Sequence, residues 1–170
     1  MVTVMLLGYR GVGKTSIGKS LARLLKLDFV DTDDFVEKIS GKSVDMIFKD
    51  HGESAFREFE KIAVKRACTK TDVIVACGGG AILDAENAKH IRDAGTVVVL
   101  SAKSDVLLSR ILNSDRPRLT TLDMQNEIEF TLAQRQPFYN ALADVKYNTD
   151  GKTPDQCAKE IAKIISNVNE

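Results

Sequence analysis

The chain has 170 residues, and its 24 basic side chains balance 24 acidic ones, so the formal net charge is zero. This length suits one domain with a sizeable core, and the charge balance excludes a general binder of nucleic acid or membrane surfaces. No apolar run reaches the roughly 20 residues that span a bilayer, and Cys68, Cys77 and Cys157 stand too far apart for a disulfide framework or zinc site.

In chain order, Val2–Leu7 is a short apolar run that reads as a buried strand. It lacks a basic leader and a cleavage site, so it is a core strand rather than a signal peptide. Gly8-Tyr9-Arg10-Gly11-Val12-Gly13-Lys14-Thr15 follows, matching the phosphate-binding pattern G-x-x-x-x-G-K-T. Glycines here allow the tight turn that aims successive N–H groups at phosphates. A helix opening at Lys14 adds its positive dipole end. Gly11, Val12, Gly13, Lys14, Thr15 and Ser16 are thus predicted to hold ATP, with Lys14 on the β- and γ-phosphates and the Thr15 hydroxyl on Mg²⁺. Ile17, Leu21, Leu24 and Leu25 are expected to form the buried face of that helix.

The second strand is predicted at Phe29–Asp31 and runs into Asp31-Thr32-Asp33. If the chain stays extended there, residues two apart share a side, and both carboxylates face the cleft. One, Asp31, can bind Mg²⁺ through water. The other, Asp33, can accept a hydrogen bond from a substrate hydroxyl and act as, or orient, a base. Asp33 or Asp34 also suits the cap of the next helix, whose apolar face is Phe35, Val36 and Ile39.

Residues 33–60 read as an insertion of helical pieces. In its later part Phe56, Phe59, Ala63 and Ala67 recur at helical spacing. Arg57 can pair with Glu60 at i+3, worth a few tenths of a kcal/mol, or present a planar fork to a substrate carboxylate. Thr69-Lys70-Thr71-Asp72 superficially matches a guanine-reading motif, but it precedes a strand instead of following one and reads as a turn. The third strand, Val73–Cys77, leads into Gly78-Gly79-Gly80, where a ligand can approach the backbone closely.

A fourth strand is predicted at Thr96–Leu100, with Arg110 ending the helical segment after it. Residues 112–124 are polar and Pro-interrupted. A polar, arginine-bearing loop outside the carboxyl ends of the strands suits a lid. Arg135 lies farther on, followed by a weak last strand, Val145–Tyr147. The final helix is capped by Thr153, has Pro154 in its first turn, and presents Ala158, Ile161, Ala162, Ile165 and Val168. His51 and His90 are too isolated to suggest a metal site. Strands alternating with helices imply a parallel α/β sheet covered on both faces.

Together these motifs resemble the shikimate kinase family: the loop at 8–15, Asp31-Thr32-Asp33, Ile47-Phe48 through Gly52-Glu53 to Phe56-Arg57 and Glu60, the triple glycine, Arg116-Pro117, and Arg135 with Tyr139 and Ala143. The resemblance covers nearly the whole chain. It implies a three-layer P-loop sandwich of the nucleoside-monophosphate-kinase type with a five-stranded parallel sheet, folded as a single domain over 1–170. It implies an ATP- and Mg²⁺-dependent enzyme that phosphorylates the 3-hydroxyl of shikimate in aromatic amino acid biosynthesis. By the family's pattern Arg57 and Arg135 clamp the carboxylate, Asp33 and the backbone of Gly79 and Gly80 hold the hydroxyls, and Gly78 belongs to the same substrate site. Arg116 closes over the phosphates from a mobile lid at 112–124, and Arg110 stacks on adenine beside Pro154. The family lid reads Arg-Pro-Leu, whereas here Arg118 intervenes; Arg116 is assigned because it matches the motif. A cytoplasmic monomer is expected. A gluconate kinase of the same fold, or a nucleotide-binding protein without activity, is the alternative.

Overall fold

A computed structural model of the protein describes residues 2–112 and 123–168. Five parallel strands form one sheet in the order β2-β3-β1-β4-β5: β1 Thr3–Leu7, β2 Asp28–Asp31, β3 Val73–Ala76, β4 Thr96–Ser101 and β5 Val145–Asn148. Among the described residues seven α-helices accompany them: α1 Lys14–Leu25, α2 Thr32–Ser40, α3 Val44–Cys68, α4 Ala85–Ala94, α5 Ser104–Leu112, α6 Met124–Leu142 and α7 Pro154–Val168.

Every residue of β1 is buried, because helices cover the sheet on both sides. Val4 and Leu6 pack with Ile74, Val98 and Leu100 against Ile17 and Leu21 of α1 and Ile161 and Ile165 of α7. Met5 and Leu7 point the other way, toward Val64, Ala67, Ile91 and Tyr139. A smaller core of Val36, Ile47, Phe56 and Ala63 holds α2 against α3. Each of the five predicted strands is present, with ends moved by one residue.

Two local expectations fail. Leu24 is exposed and Leu25 only half-buried, while Gly18 and Ala22 complete the buried face of α1. Gly18 sits so near Phe29 that an added Cβ would lie 2.5 Å from the ring, so a small residue lets helix and strand meet. The cap of α2 is Asp31, whose side chain accepts from the Asp33 N–H at 3.0 Å. Neither Asp33 nor Asp34 fills that role. The backbone turns helical at Thr32, so Asp33 belongs to the first turn of α2 and not to an extended strand. Asp31 and Asp33 therefore do not share a side by strand alternation, although both still border the same cleft.

Other details agree with expectation. Thr153 Oγ1 accepts from the Gln156 N–H and Gln156 returns a bond to the Thr153 N–H, a capping box for α7. Thr69–Asp72 is the turn between α3 and β3. Cys77 and Cys157 are buried free thiols and Cys68 is a half-buried one. Leu112 ends α5 and Asp123 caps α6 by accepting from the Asn126 N–H; of the expected lid, Arg116, Pro117 and Arg118 lie outside the described residues.

Candidate active site

The phosphate loop leaves β1 and enters α1 with positive φ at Gly8, Gly11 and Gly13, a conformation that glycine adopts without strain. Lys14 folds back over the loop, its Nζ donating to the carbonyls of Gly8 at 2.8 Å and Tyr9 at 3.1 Å. Arg110, from the last turn of α5, donates to the carbonyls of Gly11 and Val12 at 3.3 and 3.2 Å and to Thr149 Oγ1 at 3.4 Å. A cavity of about 370 Å³ opens beside the loop and is lined by residues 11–16, Arg110, Thr149, Lys152 and Pro154. Arg110 and Pro154 therefore both line this cavity, and Arg110 also braces the loop. The side chains of Thr15 and Asp31 meet at its inner end, Oγ1 to Oδ2, at 2.8 Å. A hydroxyl and a carboxylate oxygen this close suit the hard-oxygen preference of Mg²⁺.

A second cavity of about 360 Å³ adjoins the first, and the two share Thr15, Asp31, Asp33, Gly78 and Gly79. Its other walls come from distant parts of the chain: Arg57 and Glu60 of α3, Gly80 after β3, and Arg135 of α6. The structure thus gathers Asp33, Arg57, Arg135 and all three glycines around one space. Arg57 donates to Glu60 at 2.7 Å and to Glu53 at 2.9 Å, with its guanidinium 5.3 Å from the Phe56 ring centre. Arg135 lies 5.8 Å from the ring of Tyr9. Such stacking and forked bonding hold a planar cation in one orientation.

The triple glycine is explained by close approach and not by φ. An added Cβ would sit 2.7 Å from Glu60 Oε2 at Gly78, 3.1 Å from an Arg135 nitrogen at Gly79, and 2.6 Å from both terminal nitrogens of Arg57 at Gly80. The Gly78 N–H donates to Thr32 Oγ1 at 3.0 Å, so that amide serves the fold, and the place of Gly78 in the site is to leave room.

Charge in the second cavity is tightly arranged. Burial pushes the Glu60 carboxyl above its ordinary range, although the adjacent Arg57 pulls it down. Burial alone would lower Arg57, but Glu60 and Glu53 together hold its proton more firmly. Tyr139 is pushed to about 12 by burial, and its hydroxyl donates to the Gly79 carbonyl at 2.8 Å. Arg10 pairs with the fully buried Glu127 of α6 and also lines this cavity.

Arg10, Thr149 and Lys152 also line the two cavities, and none of them carries a sequence signal. Arg10 fills a variable position of the phosphate motif, so the pattern itself carries no signal for it. Thr149 and Lys152 lie beyond a weak strand, with nothing local to connect them to a loop some 140 residues earlier.

A family model described as shikimate kinase matches residues 10–166. The chain belongs to the shikimate kinase family. It is 38% identical over 164 residues to the shikimate kinase of Caldanaerobacter subterraneus subsp. tengcongensis, an overlap of 96% of this chain and 95% of that protein. The structure of shikimate kinase from Acinetobacter baumannii in complex with shikimate superimposes with a TM-score of 0.94 at 29% identity, over 98% of this chain and 94% of that one. A gluconokinase from Sinorhizobium meliloti reaches 0.62 at 16% identity, over 99% of this chain and 95% of that one, which is a likeness of fold alone. This shikimate kinase family member is accordingly an enzyme, a phosphotransferase on a P-loop α/β scaffold.

Proposed function

We propose that the protein transfers the γ-phosphoryl group of ATP to the 3-hydroxyl of shikimate. The observation that carries this reading is the pair of adjoining cavities with a shared wall at Thr15, Asp31, Asp33, Gly78 and Gly79. Phosphoryl transfer needs little covalent help and much positioning and charge stabilisation. A triphosphate on one side of that wall and a hydroxyl on the other meet this need.

The residues take the following roles. Lys14 leaves the loop carbonyls for the phosphates, a charged ligand being a better acceptor than a carbonyl. Thr15 and Asp31 would hold Mg²⁺, which when bound neutralises charge on the triphosphate. Arg110 and Pro154 border the base. Asp33 accepts the hydrogen of the attacking hydroxyl and orients its oxygen. Arg57 beside Gly80 and Arg135 beside Gly79 grip the ring carboxylate. Arg116, outside the described residues, adds positive charge at the transferring group.

Steady-state turnover of ATP by purified protein tests the proposal. With Mg²⁺ present, ADP release should depend on shikimate and stay at background with gluconate, AMP or CMP. Turnover with gluconate alone would reject it.

A further inference from the structure

The two arginines of the substrate cavity are held by different kinds of partner. Arg57 is bonded to two carboxylates, Glu60 at 2.7 Å and Glu53 at 2.9 Å, so much of its charge is answered within the protein. Arg135 is only 7% exposed. Among the described residues no carboxylate reaches bonding distance of it; Glu60 feels its charge but bonds to Arg57 instead. A buried guanidinium keeps its proton and is costly to leave without an anion. In the proposed complex the substrate carboxylate is that anion.

The groups that surround Arg135 are neutral. Its guanidinium lies 5.8 Å from the centre of the Tyr9 ring, and a terminal nitrogen packs against Gly79, 3.1 Å from where a Cβ would stand. One turn farther along α6 is Tyr139, which is buried. Its hydroxyl donates to the Gly79 carbonyl at 2.8 Å. A hydroxyl has one hydrogen and two lone pairs, so with its hydrogen on Gly79 it can only accept from its other neighbours. Burial raises the phenol to about 12 and keeps it neutral, while Arg135 acts against that rise both by charge and by hydrogen bond. Residues four apart share one side of a helix, so Arg135 and Tyr139 reach Gly79 together. Tyr139 lines neither cavity, so it can act on a substrate only through these neighbours.

We infer that Tyr139 is a positioning residue for the substrate clamp: its hydroxyl, anchored on the Gly79 carbonyl, accepts from Arg135 and fixes that guanidinium toward the substrate carboxylate without neutralising it. The inference rests on the role proposed above for Arg135. An acidic side chain in place of Tyr139 would hold the arginine as firmly, but it would compete with the substrate for the charge. A neutral acceptor fixes the direction of the fork and leaves its attraction for an anion intact.

The test is a double-mutant cycle read by shikimate titration and steady-state kinetics. Tyr139→Phe keeps the ring and loses the hydroxyl. It should raise both Kd and KM for shikimate roughly tenfold and leave kcat and KM for ATP within about twofold. In an Arg135→Met background, where the guanidinium is gone, the same substitution should change shikimate Kd by less than about twofold. A hydroxyl that only shaped Gly79 or supported the fold would cost shikimate affinity in both backgrounds, and that result would overturn the inference. So would an unchanged shikimate Kd in folded Tyr139→Phe protein, or equal losses for both substrates. Should Tyr139→Phe not fold, Tyr139→4-aminophenylalanine decides. An aromatic amine still donates to the Gly79 carbonyl but accepts poorly, so shikimate Kd must rise, and an unmoved value overturns the inference. Arg135→Met alone separates the two ideas. If it raises shikimate Kd while Tyr139→Phe does not, only the Tyr139 role fails; if it too leaves Kd unchanged, the clamp itself is wrong.

Discussion

The two adjoining cavities are built by different means. The phosphate end of the nucleotide side is made by backbone: one uninterrupted segment between β1 and α1, turned by glycines with positive φ and braced by Arg110. The substrate side is made by side chains from α2, α3 and α6, which converge over the glycines after β3. Backbone can hold phosphate because N–H groups are present at every non-proline residue. A small ring with a carboxylate and hydroxyls needs charges at set positions, and only long side chains from separated elements can supply them. Damage to the first region should therefore reach the fold or the nucleotide, while damage to the second should leave both intact.

The strongest way to break this contrast is Asp33→Asn, at the shared wall. Its kcat should fall about 10²–10⁴-fold with ATP binding unchanged, as measured by steady-state kinetics and nucleotide titration. Near-normal turnover would remove Asp33 from the chemistry. Next is Arg57→Ala. It should weaken shikimate binding by about 1.5–3 kcal/mol, the value of a hydrogen bond to a charged group. Calorimetric titration would return Arg57 to a purely structural pairing with Glu60 if the affinity did not change.

One substitution made in both regions sharpens the comparison. At Gly8, φ is +142° and a Cβ would lie 2.5 Å from the Leu100 carbonyl oxygen. Backbone must shift there, and Gly8→Ala should destabilise the protein by about 1–3 kcal/mol. At Gly80 the obstacle is the tip of the Arg57 side chain, which can move aside. Gly80→Ala should thus keep its denaturation midpoint while shikimate KM rises roughly tenfold through misplacement of the clamp. Equal loss of stability in both variants would contradict the distinction.

The smallest expected effect concerns pH. Glu60 titrates above its ordinary value of 4.5 in the folded protein because burial outweighs the attraction of Arg57. A carboxyl raised in this way contributes stability that is fully present below the unfolded value and is lost as pH rises through the folded one. Wild type should therefore lose stability relative to Glu60→Gln as pH climbs from 4.5 toward neutrality. Urea midpoints of the two proteins across that range would show it, and a difference that stayed constant or widened in favour of wild type would contradict it.

The same contrast explains how much could be read from sequence. The phosphate loop, all five strands and the cap of α7 depend on residues within a few positions of one another, and periodicity or spacing displays such relations directly. Leu24 shows where periodicity misleads: an apolar residue at nearly the right angle points to solvent because Gly18 and Ala22 bring α1 close to the sheet elsewhere. Asp31 and Asp33 border one cleft for a reason other than strand alternation, since the chain becomes helical between them. Arg57 by itself was consistent with a plain i+3 ion pair, and that pair exists. Only the folded chain brings Arg135, from 78 positions later, to the same cavity. Glu127 could not be matched to Arg10 in advance, because a buried ion pair 117 positions apart leaves no local pattern.

In the proposed complex the shared wall joins a triphosphate to a ring acid held by two arginines. A crystal structure with shikimate and a non-hydrolysable ATP analogue tests it most directly. The carboxylate should lie between Arg57 and Arg135, one ring hydroxyl on Asp33, and the terminal phosphate opposite that hydroxyl across Thr15 and Gly79. A ring bound outside this cavity, or turned with its carboxylate toward Asp33, would contradict it.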